Sequence, residues 1–248
     1  MKIISWNCFL NLSNKFNAVQ SLGADILIIQ ECEKLPEDFF PGAKYFWSGH
    51  SDKKGIGVLL FGMDAEIDES FNKNLDYFLP LNLDIGIRLL AIWSFTHRAS
   101  KRFGEGHKGH VSDAIQYYED WLNNSDKGII AGDFNNSVIW DKGNKESNFI
   151  YTNSFLNKLG FQSAYHQLRN ENFGNEESAT LYHTKNKNKT YHIDYIYLKG
   201  IQARSVEIGT FDDWIKLSDH APVIAKFLPA YLQLLACGLN YIFVELGR

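Results

Sequence analysis

Short apolar runs, each closed by a polar residue, recur along this chain. Residues 2–6 make a first strand candidate that ends on Asn7. Residues 25–30 carry Ile26, Leu27, Ile28 and Ile29 without a break, the pattern of a strand buried on both faces, and end on Glu31. Residues 55–61 and 89–96 repeat the pattern, the second ending on His97. Residues 128–131 form another buried strand that runs into Gly132-Asp133-Phe134-Asn135, and residues 191–198 and 222–227 supply later strands. Between them the period changes. Phe16, Val19 and Leu22 share one face of a short helix stopped by Gly23, and Ile115, Tyr118 and Leu122 share a face within residues 111–122. A further helix over residues 152–159 is closed by Gly160. This alternation predicts an α/β fold of stacked sheets with helices outside.

Neither an internal repeat nor a Pro/Gly/Ser-rich linker divides the chain. Residues 170–189 are polar, with an Asn/Lys-rich end, and read as a mobile loop beside a site. Residues 1–228 are expected to form one domain, followed by an apolar tail over residues 229–248. The tail is shorter than the roughly 20 apolar residues of a membrane span and is interrupted by Gln233, Asn240 and Glu245. A helix packed on the domain or on a partner is the expectation there, ahead of membrane contact. The N-terminal run is too short for a secretory signal, which makes a cytoplasmic setting the default.

Composition narrows the chemistry. Of the 248 residues 45% are hydrophobic and 22% charged, enough for a sizeable core and too apolar for wholesale disorder. The formal charge is −4, from 25 Lys+Arg against 29 Asp+Glu, which argues against tight non-specific binding of long duplex DNA. A small or single-stranded phosphodiester is compatible with that balance. Three cysteines, Cys8, Cys32 and Cys237, are too few and too odd in number for a disulfide framework. Cys8 and Cys32 read as small buried residues at strand ends.

The polar strand ends then carry the argument. One Asn, Asp or His after a strand is an ordinary turn residue, but Asn7, Glu31, His97, Asp133 and Asn135 all follow strands, and Asp219 and His220 precede the last one. Glu31 and Asp219, with the amide oxygen of Asn7, have the hard-oxygen character of a Mg²⁺ or Mn²⁺ site. No Cys/His cluster has tetrahedral zinc spacing, and His107 and His110 read as part of a Gly-rich loop. Ser218-Asp219-His220 is no catalytic triad, since neighbours on an extended strand point to opposite faces and no Gly-x-Ser-x-Gly elbow is present.

Six blocks in order resemble the signature of the endonuclease/exonuclease/phosphatase superfamily. They are Ser5-Trp6-Asn7, Gln30-Glu31, Phe95-Thr96-His97, Gly132-Asp133-Phe134-Asn135, His192-Ile193-Asp194-Tyr195-Ile196 and Ser218-Asp219-His220-Ala221-Pro222. Ser163-Ala164-Tyr165-His166 and residues 136–141 are similar to stretches of short bacterial members. The resemblance implies a four-layer α/β/β/α sandwich of two packed mixed sheets, like deoxyribonuclease I, with the site at one sheet edge. It implies that Glu31 binds Mg²⁺ or Mn²⁺ with Asn7 and Asp219 nearby, and that Asp133 orients or deprotonates the attacking water. It further implies that Asn135 donates to charge developing at phosphorus, that His97 contacts phosphate, and that His220 contacts the phosphate or takes part in proton transfer, with Asp194 accepting from its other ring nitrogen. His192 stands where family members often have Arg. It is expected either beside the phosphate or facing away.

A nuclease acting on DNA or RNA by in-line water attack is the first reading, with Lys185, Lys187 and Lys189 toward the backbone and Trp140 or Trp214 toward a base. The alternative is a phosphatase or phosphodiesterase acting on a small-molecule or lipid-head-group phosphate. A non-catalytic binding domain comes third, disfavoured because every chemical position is filled.

Overall fold

The computed structural model describes residues 1–75, 77–94, 111–143 and 148–227. The first four strands are β1 (Lys2–Asn7), β2 (Ile26–Cys32), β3 (Ala43–Ser51) and β4 (Lys54–Phe61). Five more follow: β5 (Ala65–Ile67), β6 (Phe78–Leu83), β7 (Ile87–Trp93), β8 (Gly128–Asp133) and β9 (Gln162–Ser163). The last five are β10 (Leu181–Tyr182), β11 (Thr190–Tyr191), β12 (Asp194–Lys199), β13 (Ala203–Ile208) and β14 (Val223–Phe227). The α-helices are α1 (Phe16–Gln20), α2 (Val111–Tyr117), α3 (Glu119–Asn123), α4 (Phe149–Lys158), α5 (Ala164–Arg169) and α6 (Phe211–Trp214).

Two six-stranded mixed sheets result, ordered β13-β14-β1-β2-β4-β3 and β5-β6-β7-β8-β12-β9. They share one pairing pattern. In each, a central parallel pair (β1 with β2, β7 with β8) is flanked on both sides by two antiparallel partners. A parallel pair needs a crossover, and α1 and the α2–α3 segment lie in the two connections.

The uninterrupted apolar runs are explained by burial on both faces. Ile3, Ile26 and Ile28 enter the core between the sheets, whereas Ile4, Trp6, Leu27 and Ile29 join a second cluster with Phe16, Val19 and Trp214. Strands β1 and β2 contact β8 and β7 directly, so no helix separates the sheets. The helices cover the outer faces, α1 and α6 on the first sheet, and α2, α3 and α4 on the second through Ile115, Leu122, Phe149 and Leu156.

Three expectations change in detail. The helix foreseen over residues 111–122 is two, broken at Tyr118. The strand foreseen over 191–198 is split, because Ile193 N and Asp194 N donate to Thr180 Oγ1 instead of continuing a ladder. Residues 170–189 are not a featureless loop. They include the hairpin strand β10, which pairs with β11, and Glu171 and Glu176, which bind the Tyr165 hydroxyl and the His166 ring. Residues 95–96 of the strand ending on His97, the 106–110 loop and the 229–248 tail lie outside the described residues. No helix among the described residues is long and apolar enough to cross a membrane.

Candidate active site

The pairing pattern dictates which side chains meet. Parallel strands β1, β2 and β8 end at one edge of the stacked sheets, and the antiparallel strands β4, β12 and β14 begin there. That edge therefore collects Asn7, Glu31 and Asp133 from strand ends, and Lys54, Asp194 and the Asp219-His220 pair from strand starts.

Asp133 is the centre of the constellation and is fully buried. Its Oδ2 accepts from Asn7 Nδ2 at 2.9 Å and Asn135 Nδ2 at 3.0 Å, and its Oδ1 accepts from Asn135 N at 2.8 Å. Asn135 adopts a left-handed backbone (φ 46°), which an Asn tolerates. Its side chain also donates to Ser94 O at 2.7 Å, so its amide hydrogens go to Asp133 and the backbone. Gly132 is required. At φ 149° a Cβ there would stand 1.7 Å from Ile92 O of the adjoining strand.

Glu31 reaches the site through a bulge. Its φ of 59° coincides with a register shift between Gln30 and Cys32, a device that re-aims a side chain. Glu31 Oε1 accepts from Asn7 Nδ2 at 3.2 Å, and Oε2 pairs with Lys54 Nζ at 2.8 Å. The Lys54 ammonium also lies 4.8 Å from the Trp93 ring centre. Asn7 thus presents its amide nitrogen to both carboxylates, while its oxygen accepts from Phe9 N at 3.0 Å.

His220 Nδ1 lies 2.9 Å from Asp194 Oδ2, both residues buried. Burial disfavours the imidazolium, but Asp194, then Asp133 and Asp219, outweigh it and raise the His220 pKa to about 10. Asp133 is raised to about 8, by burial first and then by Asp194, against the pull of His220. Ligand atoms of Asp133, Asp194 and His220 lie within 4.8 Å of one another, close enough to share one cation. Asp194 Oδ1 and Asp219 Oδ1 are buried without a hydrogen-bond partner. Ser218 donates to Asn7 O and accepts from His220 N, a hinge between two parts of the site and no nucleophile. Cys8 and Cys32 are buried, and burial pushes the Cys8 thiol up to about 12.

Support comes from a buried polar chain. Ser163 Oγ is 2.7 Å from His166 Nδ1, and His166 Nε2 is 3.0 Å from Glu176 Oε1. Phe173 stacks on the His166 ring at 3.6 Å. His192 turns to this network and donates from Nδ1 to Ser178 O, at 4% exposure. The 170–180 segment so held presents Thr180, whose hydroxyl fixes Asp194 N. Trp214 is a core residue against Trp6, at 5.2 Å, and Trp140 packs on Tyr191. His97 lies outside the described residues.

The rim continues into an unusual loop. Phe9, Leu10 and Asn11 are consecutive left-handed residues (φ 53°, 64° and 52°), a conformation costing on the order of 1–3 kcal/mol at each non-glycine. Lys15 Nζ gathers the carbonyls of Cys8, Phe9 and Leu10 at 2.8–3.2 Å, and Glu33 accepts from Leu12 N and Ser13 N. Lys54, Thr180 and this loop escaped the sequence reading. The signal for Lys54 was present, since it opens an apolar strand.

Carboxylates, amides and an ion-paired imidazole gathered at one edge of two stacked mixed sheets define a phosphoester hydrolase. The chain belongs to the endonuclease/exonuclease/phosphatase family, whose sequence profile matches residues 4–220. A 3′-5′ exonuclease from Neisseria meningitidis shares the fold at 21% identity and a TM-score of 0.69, over 92% of this chain and 99% of that one. A Neisseria 3′ phosphatase bound to a product DNA hairpin matches at 20% and 0.69, over 92% and 100%. An AP endonuclease from Archaeoglobus fulgidus matches at 17% and 0.62, over 92% and 99%. A comparison with curated proteins finds no sequence match.

Proposed function

We infer that this chain is a Mg²⁺- or Mn²⁺-dependent nuclease that cleaves phosphodiesters of DNA or RNA by direct attack of water. The observation that carries the reading is Asp133, buried, oriented by two amide side chains and placed beside the Asp194–His220 ion pair. The product DNA hairpin bound by one structural neighbour and the exonuclease and AP endonuclease names of the two others support nucleic acid as the substrate.

Asp133 is the base. Its raised pKa suits it to hold a proton taken from water near neutral pH. Asn7 and Asn135 keep its carboxylate turned toward the edge. His220, held charged by Asp194, donates from Nε2 to a phosphoryl oxygen and stabilises the charge that builds there. Asp194 fixes the tautomer and ring orientation.

The residues fit a hard divalent cation. Glu31 already attracts the Lys54 ammonium, and Asp219 Oδ1 is buried without a partner. Glu31 and Asp219 would hold the ion, while Asn7, expected from the sequence as a further ligand, gives its amide nitrogen to Asp133 and Glu31 and its oxygen to Phe9 N. When bound, the ion would polarise a non-bridging phosphate oxygen and neutralise the leaving oxygen.

The test gives purified protein, with Mg²⁺ or Mn²⁺, circular and linear DNA, RNA, a 3′-phosphorylated oligonucleotide, bis-p-nitrophenyl phosphate and p-nitrophenyl phosphate. Cleavage of diesters is expected, with Asp133→Ala and His220→Ala each slower by at least about a hundredfold. No turnover, or variants as active as the parent, sinks the mechanism. Turnover of monoesters alone favours the phosphatase reading.

A further inference from the structure

The rim carries an exposed aromatic that the proposed chemistry does not use. Phe9 is 46% exposed two residues beyond Asn7, and its backbone nitrogen is bonded to the Asn7 side chain. A left-handed backbone at a bulky residue is unfavourable. Here it extends over two such residues, Phe9 and Leu10, and on to Asn11, and is held by the Lys15 ammonium on three carbonyls and by Glu33 on the following amides. The chain thus fixes an exposed ring beside Asn7 when a turn with a polar residue would satisfy the backbone.

The opposite lip is built alike. The β10–β11 hairpin is anchored at the site, with Tyr182 N donating to Asp219 O and Leu181 bridging to His220. Its tip contains two more left-handed residues, Thr184 and Lys185 (φ 56° and 58°). The tip carries the Lys185 ammonium to 5.8 Å from the centre of the Phe9 ring. An aromatic face and a cation therefore meet over the edge that holds Asp219 and His220.

We propose that Phe9 is a stacking platform for an unpaired nucleobase of the substrate strand, and that Lys185 contacts the phosphate beside that base. A single strand alternates flat apolar rings with phosphates, and this lip presents a ring and an ammonium in the same order. A duplex end presents stacked bases that already have partners, so the platform selects single-stranded or frayed ends. The inference rests on the nuclease reading.

The test compares two oligonucleotides of equal length, one with bases that include 2-aminopurine and one composed wholly of abasic tetrahydrofuran residues. Binding is read by anisotropy and by 2-aminopurine fluorescence in Ca²⁺, and cleavage of the base-containing strand in Mg²⁺. The parent is expected to quench the fluorescence. Phe9→Ala loses the quench and binds the base-containing strand roughly tenfold more weakly, while its affinity for the abasic strand is unchanged. Phe9→Tyr restores both, and Lys185→Gln weakens both strands alike. Circular dichroism confirms that each variant is folded. Quenching and affinity in Phe9→Ala equal to the parent overturn the platform while the nuclease reading stands. A parent that neither binds nor cleaves either strand overturns the nuclease reading and the platform together.

Discussion

Lys54 Nζ stands 2.8 Å from Glu31 Oε2, where a divalent cation would also draw its oxygen. The two cations compete for one carboxylate. Replacing Lys54 with Met removes the competitor at similar side-chain length, so Mg²⁺ should bind about two- to fivefold more tightly, as the loss of a partly exposed ion pair implies. Isothermal titration checks this, and unchanged or weaker binding refutes it. At this scale the sequence was informative where a polar residue ended an apolar run. Asn7, Glu31 and Asp133 stood out in that way, and the structure links all three by hydrogen bonds. Asn135 hid a different role, because nothing in Gly-Asp-Phe-Asn tells that its amide hydrogens go to Asp133 and Ser94. Phe9 was illegible for a related reason, since its left-handed backbone depends on a lysine six residues away.

Among the elements, α5 and the segment after it matter more than their length suggests. Glu176 accepts from His166 and from Gly174 N, and its carboxylate is held below its usual range against the opposing cost of burial. Glu176→Ala removes the partner of His166 Nε2 and that of the Gly174 amide, leaving the ring held only by Ser163 at Nδ1. A loss of roughly 2–3 kcal/mol is expected in urea unfolding, with kcat falling and KM little changed, because Thr180 and through it Asp194 lose their support. Full stability in that variant would show that the network is ornamental. The strands of the parallel pairs were readable from continuous apolar runs, since both of their faces are buried. The hairpin β10–β11 was not, because two-residue strands in a polar stretch have no period to read. Tertiary anchoring to Asp219 and His220 forms it instead.

For the whole molecule, the site makes stability depend on pH in one direction. Asp133 has a pKa of 3.8 when exposed and about 8 in the fold, so the metal-free folded state binds the extra proton and loses stability as pH rises from about 4 to 8. His220 moves from 6.5 to about 10, so its contribution is complete below 6.5 and is lost as pH rises toward 10. Both losses overlap between about 6.5 and 8. Thermal unfolding in EDTA should therefore fall most steeply there, and Asp133→Asn should flatten the curve between about 4 and 8. Mg²⁺ should restore more stability at pH 8 than at pH 6, because the ion offsets charge that the protons no longer offset. A metal-free curve that rises through this window would refute the assignment.

The first sheet draws its strands from both ends of the described chain, with β1 paired to β14, while the second sheet comes from the stretch between. As the chain leaves the ribosome, Glu31 and Asp133 are complete long before Asp219 and His220 exist. The proposed site is consequently incomplete until those two residues have been made. Pairing of β14 with β1 closes the first sheet and delivers the imidazole, so a nuclease of the proposed kind would be inert until that strand is in place.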